Sequence, residues 1–154
     1  MIEIQPPFSA PNNSYKNIFL AGSIEMNAAE HWQKTILTYF KFKNANFFNP
    51  RRDDWDSSIE QCCENDKFRE QVNWEISNIL DCDLVVFYID QSTKSPITLM
   101  EIGLVAGKGK NAIVCCPNGY WRKGNVNVIC DRFQIPQVEN LSRLIAYIDT
   151  YLTT

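Results

Sequence analysis

The chain has 154 residues, 45% of them hydrophobic and 21% charged, with a formal net charge of −3. That suits one compact domain over residues 1–154, is too apolar for a disordered protein, and offers no basic surface for nucleic acid. No apolar run approaches the roughly 20 residues of a membrane helix, so a small-molecule partner fits best, with no membrane and no nucleic-acid polymer.

Residues 1–16 carry three prolines and no charged leader with an apolar block. They read as a loose lead-in, not a signal peptide. Asn17 to Ala21 is a short apolar run ending in Gly22-Ser23, which predicts a buried strand and a tight turn. From Ala28 to Phe40, Ala29, Trp32, Ile36 and Phe40 recur at helical spacing. Asn46 to Phe48 predicts a brief strand stopped by Asn49-Pro50, and a polar loop runs on to about Asp66. Phe68 to Leu80 predicts a helix with Phe68, Val72, Ile76 and Ile79 on its core face. Leu84 to Ile89 is a buried strand, Pro96 to Gly107 an almost wholly apolar helix, and Ala112 to Cys116 another strand. Pro117 to Asn127 reads as a long loop. Val138, Leu141, Leu144, Ile145, Ile148 and Leu152 mark a final amphipathic helix. Alternating apolar strands and helices predict an α/β fold with a parallel sheet covered on both faces. Such folds bind ligands beyond the carboxyl ends of their strands, so the segments of interest follow Ala21, Phe48, Ile89 and Cys116.

Six cysteines and a single histidine are present. No C-x-x-C occurs, and two of the cysteine pairs are adjacent in sequence. This predicts no metal site. Cys115 and Cys116 lie in an apolar run and read as buried, reduced thiols, which suits a reducing cytoplasm. His31 reads as a surface helix residue. There is no G-x-G-x-x-G, no P-loop and no G-x-S-x-G, which disfavours dinucleotide binding, P-loop hydrolysis and serine-hydrolase chemistry.

Two carboxylates stand out. Glu75 shares the core-facing stripe of its helix, where an acid must be paired, hydrogen-bonded or functional. Glu101 is the sole ionisable side chain between Lys94 and Lys108. It can serve the dipole of its helix start or act as a positioned nucleophile or base. Both helices flank the strand Leu84 to Ile89. Two acids in unlike environments are common equipment for cleaving glycosidic bonds. Arg51-Arg52, followed by Asp53-Asp54, can grip a polar ligand.

Ile18-Phe19-Leu20-Ala21-Gly22-Ser23-Ile24, Glu75 ahead of Asp83, and Met100-Glu101-Ile102-Gly103 resemble the nucleoside 2-deoxyribosyltransferase superfamily. Its deoxyribosyltransferase-like branch shares Asn49-Pro50-Arg51-Arg52-Asp53-Asp54-Trp55, Phe68-Arg69-Glu70-Gln71-Val72, Thr93-Lys94-Ser95-Pro96-Ile97 and Gly124-Asn125-Val126. The resemblance implies a flavodoxin-like three-layer sandwich with five parallel strands, no cofactor, and a homodimer or higher homo-oligomer. It implies that Glu101 is a nucleophile forming a glycosyl-enzyme and that Glu75 handles the base. It further implies a nucleoside or nucleotide substrate held by Gly22, Ser23, Asn49, Arg51, Arg52, Asp53 and Ser95, with Asn125 reaching a neighbouring subunit's sugar. Ser95 matches a phosphate-touching serine of nucleotide-preferring relatives and favours a 5'-phosphate, although no arginine closely follows Gly22. The rival expectations are a non-catalytic nucleotide-binding domain and a hydrolase of an NAD- or ADP-ribose-type glycoside, its diphosphate held by Arg51-Arg52.

Overall fold

The structure, a computed structural model, describes residues 1–24, 31–52, 56 and 58–154. Six parallel strands form one sheet in the order β1-β3-β2-β4-β5-β6. They are β1 (Ile2–Ile4), β2 (Lys16–Gly22), β3 (Ala45–Phe48), β4 (Leu84–Tyr88), β5 (Ala112–Cys115) and β6 (Gln137–Val138). Five helices connect them: α1 (Trp32–Tyr39), α2 (Asp66–Asp81), α3 (Pro96–Lys108), α4 (Lys123–Phe133) and α5 (Leu141–Thr153).

The strands are apolar on both faces because both faces are covered. Phe19, Ala21, Val85 and Phe87 point to one core, with Ile79 of α2, Ile102 and Val105 of α3, and Val126 and Cys130 of α4. Ile18, Leu20, Leu84 and Val86 point to the other, with Trp32 and Ile36 of α1 and Leu144 and Ile148 of α5. Successive residues of one strand thus serve opposite layers. The expected three-layer α/β architecture is present, with six strands where five were expected.

The extra strand comes from the segment expected to be a loose lead-in. Ile2, Glu3 and Ile4 pair with Asn46, Phe47 and Phe48, and Asn49 N–H donates to the Ile4 carbonyl at 2.8 Å. Three residues are too few to show any periodicity. The sequence elsewhere misplaces three details. Residues 117–127 are not all loop, since α4 begins at Lys123. Val138 belongs to β6, and α5 begins after it, capped by the Asn140 side chain on Arg143 N–H at 3.0 Å. Ile76, expected on the core face of α2, is 41% exposed. Trp74 packs on the core in its place, its ring 5.9 Å from Phe19 and 6.0 Å from Phe48. The helix expected from Ala28 is described from Trp32; residues 28–30 lie outside the described residues.

The sheet order turns about β2: β3 lies on one side of it and β4 on the other. In an open parallel sheet this reversal leaves a crevice past the strands' carboxyl ends. Gly22, the end of β2, and Tyr88, the end of β4, sit side by side there.

Candidate active site

Gly22 and Ser23 begin the site. Gly22 has φ +146°, and a Cβ added to it would fall 2.1 Å from the Tyr88 carbonyl oxygen. Only a residue with no side chain lets β2 leave the sheet so close to β4. Ser23 N–H then donates to that same carbonyl at 2.9 Å. The Ser23 hydroxyl accepts from Asp90 N–H at 2.9 Å and bonds both the Thr93 hydroxyl, at 2.9 Å, and the Ser95 hydroxyl. Thr93 and Ser95 hydroxyls are themselves 2.7 Å apart. All three side chains are buried. Ser95 adopts a left-handed conformation, φ 46°, immediately before Pro96 starts α3. From outside, the Tyr120 hydroxyl donates to the Lys94 carbonyl at 2.7 Å. The loop from β4 into α3 is therefore a rigid, hydroxyl-lined wall.

Glu75 of α2 and Glu101 of α3 lie close enough for the charge of one to act on the other. Loss of water pushes the Glu101 carboxyl up to about 8, and the charge on Glu75 adds to the rise. Burial also raises Glu75, against a hydrogen bond from Gln71 that lowers it. Gln71 Nε2 donates to Glu75 Oε1 at 2.7 Å and to the Pro50 carbonyl at 3.2 Å. Burial thus disfavours the charge on both acids, and the charge of Glu75 disfavours that of Glu101 further. Gln71 supports the ionised form of Glu75. Glu101 lies past the first turn of α3, which carries no acidic residue. It is therefore beyond the free amides of the helix start, and a dipole role does not account for it.

The third wall follows β3. Asn49 is buried, and its side chain is engaged within the fold: Nδ2 donates to Glu3 Oε1 at 2.8 Å, and Oδ1 accepts from Arg51 N–H at 3.1 Å. Gln5 Nε2 donates to the Arg51 carbonyl at 2.7 Å. Arg51 is only 5% exposed. Its guanidinium lies 3.5 Å from Gln33 Oε1 and 3.4 Å from Nε2 of the exposed His31. Arg52 is half-buried beside it. Asp53 lies outside the described residues, as do Asp54 and Trp55.

Asn125 stands apart. It is exposed on the first turn of α4 and lines a cavity of about 310 Å³ between α3 and α4, with Leu99, Ile102, Arg122, Val126 and Ile129. None of the other expected site residues lines that cavity. The structure thus joins Ser23 to Ser95 beside Gly22, sets Glu75 within electrostatic reach of Glu101, and ties Glu75 through Gln71 to Pro50 of the Asn49–Arg52 loop. Sequence reading gave no role to Thr93 and Gln71, which it met only within the shared motifs, and overlooked Gln33. Gln33 is 1% exposed, and its Nε2 meets no hydrogen-bond partner among the described residues. The available signal for Gln71 was its place one helical turn before Glu75. Among the described residues, no three His, Cys, Asp or Glu side chains gather as a metal site, and no helix is long and apolar enough to cross a membrane.

No curated protein matches the chain. Several solved structures share the fold, and two are described. One is a conserved protein from Enterococcus faecalis V583, with TM-score 0.64 and 14% identity over 90% of this chain and 100% of that one. The other is the CMP N-glycosidase BcmB of Clostridium botulinum, with TM-score 0.56 and 16% identity over 88% of this chain and 100% of that one. The family model for nucleoside 2-deoxyribosyltransferase-like proteins matches residues 15–120, which span β2 through α3 and β5 and so hold both carboxylates. On that match the chain belongs to the nucleoside 2-deoxyribosyltransferase-like family.

Proposed function

We propose that this protein cleaves the N-glycosidic bond of a nucleoside or nucleotide with retention, through a glycosyl-enzyme on Glu101. The carrying observation is the pair of carboxylates on α2 and α3, both raised by burial and Glu101 raised further by the charge of Glu75. Family membership and the activity named for the Clostridium botulinum neighbour support N-glycosidic chemistry.

In the first step the ionised Glu101 attacks the anomeric carbon, and the bond to the base breaks with its electron pair leaving on the base. Glu75 gives its proton to that base. In the second, water or another base attacks the same carbon, the ester to Glu101 breaks, and the incoming group's proton passes to Glu75. The reactive form carries one proton on the pair, shifted from Glu101 to Glu75. Cationic character growing on the sugar favours that shift, because it stabilises a negative Glu101 more than a neutral one. Positioning and electrostatics carry the rate.

The pH dependence follows. Above about 8 the second proton leaves the pair and the base has no acid to receive a proton from. Activity on a fixed substrate should fall as the pH rises through that value. In Glu75→Gln, kcat should drop by roughly 10²- to 10⁴-fold with a smaller change in KM, and the alkaline limb should disappear, since the one proton left to lose is that of Glu101, whose loss makes the nucleophile. A limb unchanged in that variant would separate it from the pair.

The Ser23–Thr93–Ser95 hydroxyls beside the start of α3 support a 5'-phosphate, to whose oxygens helix amides and hydroxyls both donate. A kcat/KM higher for a monophosphate than for its nucleoside would agree; a clear nucleoside preference would end the phosphate reading. Ile97, Met100, Trp121 and Val128, each more than half exposed on or beside α3 and α4, support a dimer through that face, with Asn125 turned toward the neighbour. Turnover of a nucleoside and nucleotide panel, with trapping of a sugar on the wild type but not on Glu101→Gln, tests the whole reading. Binding without turnover by a folded protein would favour a ligand-binding domain instead.

A further inference from the structure

The layer of the molecule that packs α1 and α5 on the sheet, opposite α2 and α3, carries a groove of its own. The groove has a volume of about 570 Å³ and is lined by His31, Lys34, Thr35, Thr38, Tyr39 and Ile145. None of the site residues expected from the sequence lines it. The first four recur at the i, i+3, i+4, i+7 spacing that sets side chains on one stripe of a helix. All four, and Tyr39, are exposed, so the stripe is open to solvent. Its charge is one-sided. From His31 to Asn44 the chain has three lysines and no acid, although the whole carries a net charge of −3. The sole acid of α5, Asp149, pairs with Lys43 at 2.7 Å.

The donors of this stripe are not spent within the protein. The Lys34 ammonium and the Thr35 hydroxyl make no hydrogen bond or ion pair among the described residues. His31 Nε2 lies 3.4 Å from the Arg51 guanidinium. A guanidinium can only donate, so Nε2 accepts and the hydrogen of the neutral ring is on Nδ1. Nδ1 has no partner among the described residues. Three donors thus stand within about one turn of the helix. Thr38 differs. Its hydroxyl donates to the Lys34 carbonyl at 2.7 Å, so toward a ligand it can only accept. It stands about 5 Å along the helix from Thr35. Beside it the Tyr39 ring, 58% exposed, and Ile145 supply an apolar wall.

Three grouped donors, one of them a cation, call for three anionic oxygens. A carboxylate is flat and presents two; a phosphate monoester presents three and carries the larger charge. The acceptor one turn on calls for a hydroxyl, and the wall for the carbon face of a ring. We infer that the groove between α1 and α5 binds a sugar phosphate, its phosphate on His31, Lys34 and Thr35, a hydroxyl on Thr38, and its ring against Tyr39 and Ile145. This goes beyond the N-glycosidase reading and does not depend on it, since Glu75 and Glu101 lie on helices of the opposite layer.

The test titrates ribose 5-phosphate, ribose and inorganic phosphate calorimetrically into the wild type, Lys34→Gln, Thr35→Val and Lys41→Gln. Lys41 belongs to the same basic segment, lies over the Phe42 ring and does not line the groove, so Lys41→Gln makes the same change of net charge outside it. The wild type should hold ribose 5-phosphate at least about tenfold more tightly than ribose or phosphate. Lys34→Gln should weaken that binding roughly 5- to 20-fold and Thr35→Val roughly 3- to 10-fold, and Lys41→Gln by less than about twofold. Equal losses in Lys34→Gln and Lys41→Gln would mean a diffuse positive field and overturn the inference. A wild type that does not bind ribose 5-phosphate would overturn it, and so would binding that Lys34→Gln and Thr35→Val leave intact. None of these measurements uses glycoside turnover, so a protein that cleaves no glycoside can still bear the inference out.

Discussion

Replacing Glu101 by glutamine should lower kcat by more than about a thousandfold, roughly 4 kcal/mol of barrier, and at the same time make the folded protein more resistant to denaturant at alkaline pH. The second effect follows from the first residue's environment. A carboxyl whose folded-state value is raised favours folding while protonated. Its contribution is complete below the ordinary 4.5 and is lost as the pH climbs through about 8. Above that pH the native protein must hold a dry negative charge next to Glu75. Glutamine keeps the shape and removes the charge. Urea unfolding at pH 5 should therefore show little difference between the two proteins, and at pH 9 the variant should lead by a few kcal/mol. Single-turnover assays on the same samples check the catalytic half. A variant that is both active and no more stable would leave Glu101 without a special role.

Gly22→Ala should be the most damaging single methyl in the molecule. The new Cβ would lie 2.1 Å from the Tyr88 carbonyl oxygen and 2.9 Å from its nitrogen, at a φ of +146° that L-residues avoid. Neither neighbour is a flexible side-chain end. To make room, β2 and β4 must part at the centre of the sheet, and Ser23 must leave its contacts with Tyr88 and Asp90. A loss of about 3 kcal/mol or more is expected, with loss of activity even in whatever protein stays folded. Gly103→Ala is the control. Nothing lies within 4 Å of the Cβ it would gain, and in the middle of α3 alanine should add about 0.5–1 kcal/mol of stability. Thermal melts of the two variants side by side would separate a steric requirement from a general intolerance of change.

What the amino-acid pattern revealed, it revealed through burial. Ile18 to Ala21 and Leu84 to Phe87 are continuous apolar runs because helices cover both faces of the sheet, and such runs are hard to mistake. Glu101 was visible for the same reason: a lone charge in an apolar helix is conspicuous. Ile76 shows where spacing fails. Helical periodicity groups residues on a stripe, but the width of the stripe that is covered depends on neighbours, and Trp74 takes the covered place with its larger ring. In α4, Val126, Ile129 and Cys130 lie on the core side, yet Gly124 and two asparagines in its first turns imitate a loop. β1 and β6, of three and two residues, are held by pairing partners far away in sequence. Gln71 and Gln33 are uncharged amides, and their importance lies in the groups they reach, Glu75 and Pro50 for one and Arg51 for the other, which no residue type announces.

The short strand β1 lies outside the residues that match the family model, and it joins two jobs that are usually separate. Without it, β3 would be the rim of the sheet and would offer its backbone from Ala45 to Phe48 to any other extended chain. The same few residues, through Glu3 and Gln5, moor the turn that carries Asn49 and Arg51. A protein clipped near its amino terminus would accordingly suffer two ailments from one wound: a slackened site, and a sticky rim that recruits its own kind. The order of the candidate site and the sealing of the sheet's rim are in this molecule inherited together, through a strand three residues long and the glutamine that follows it.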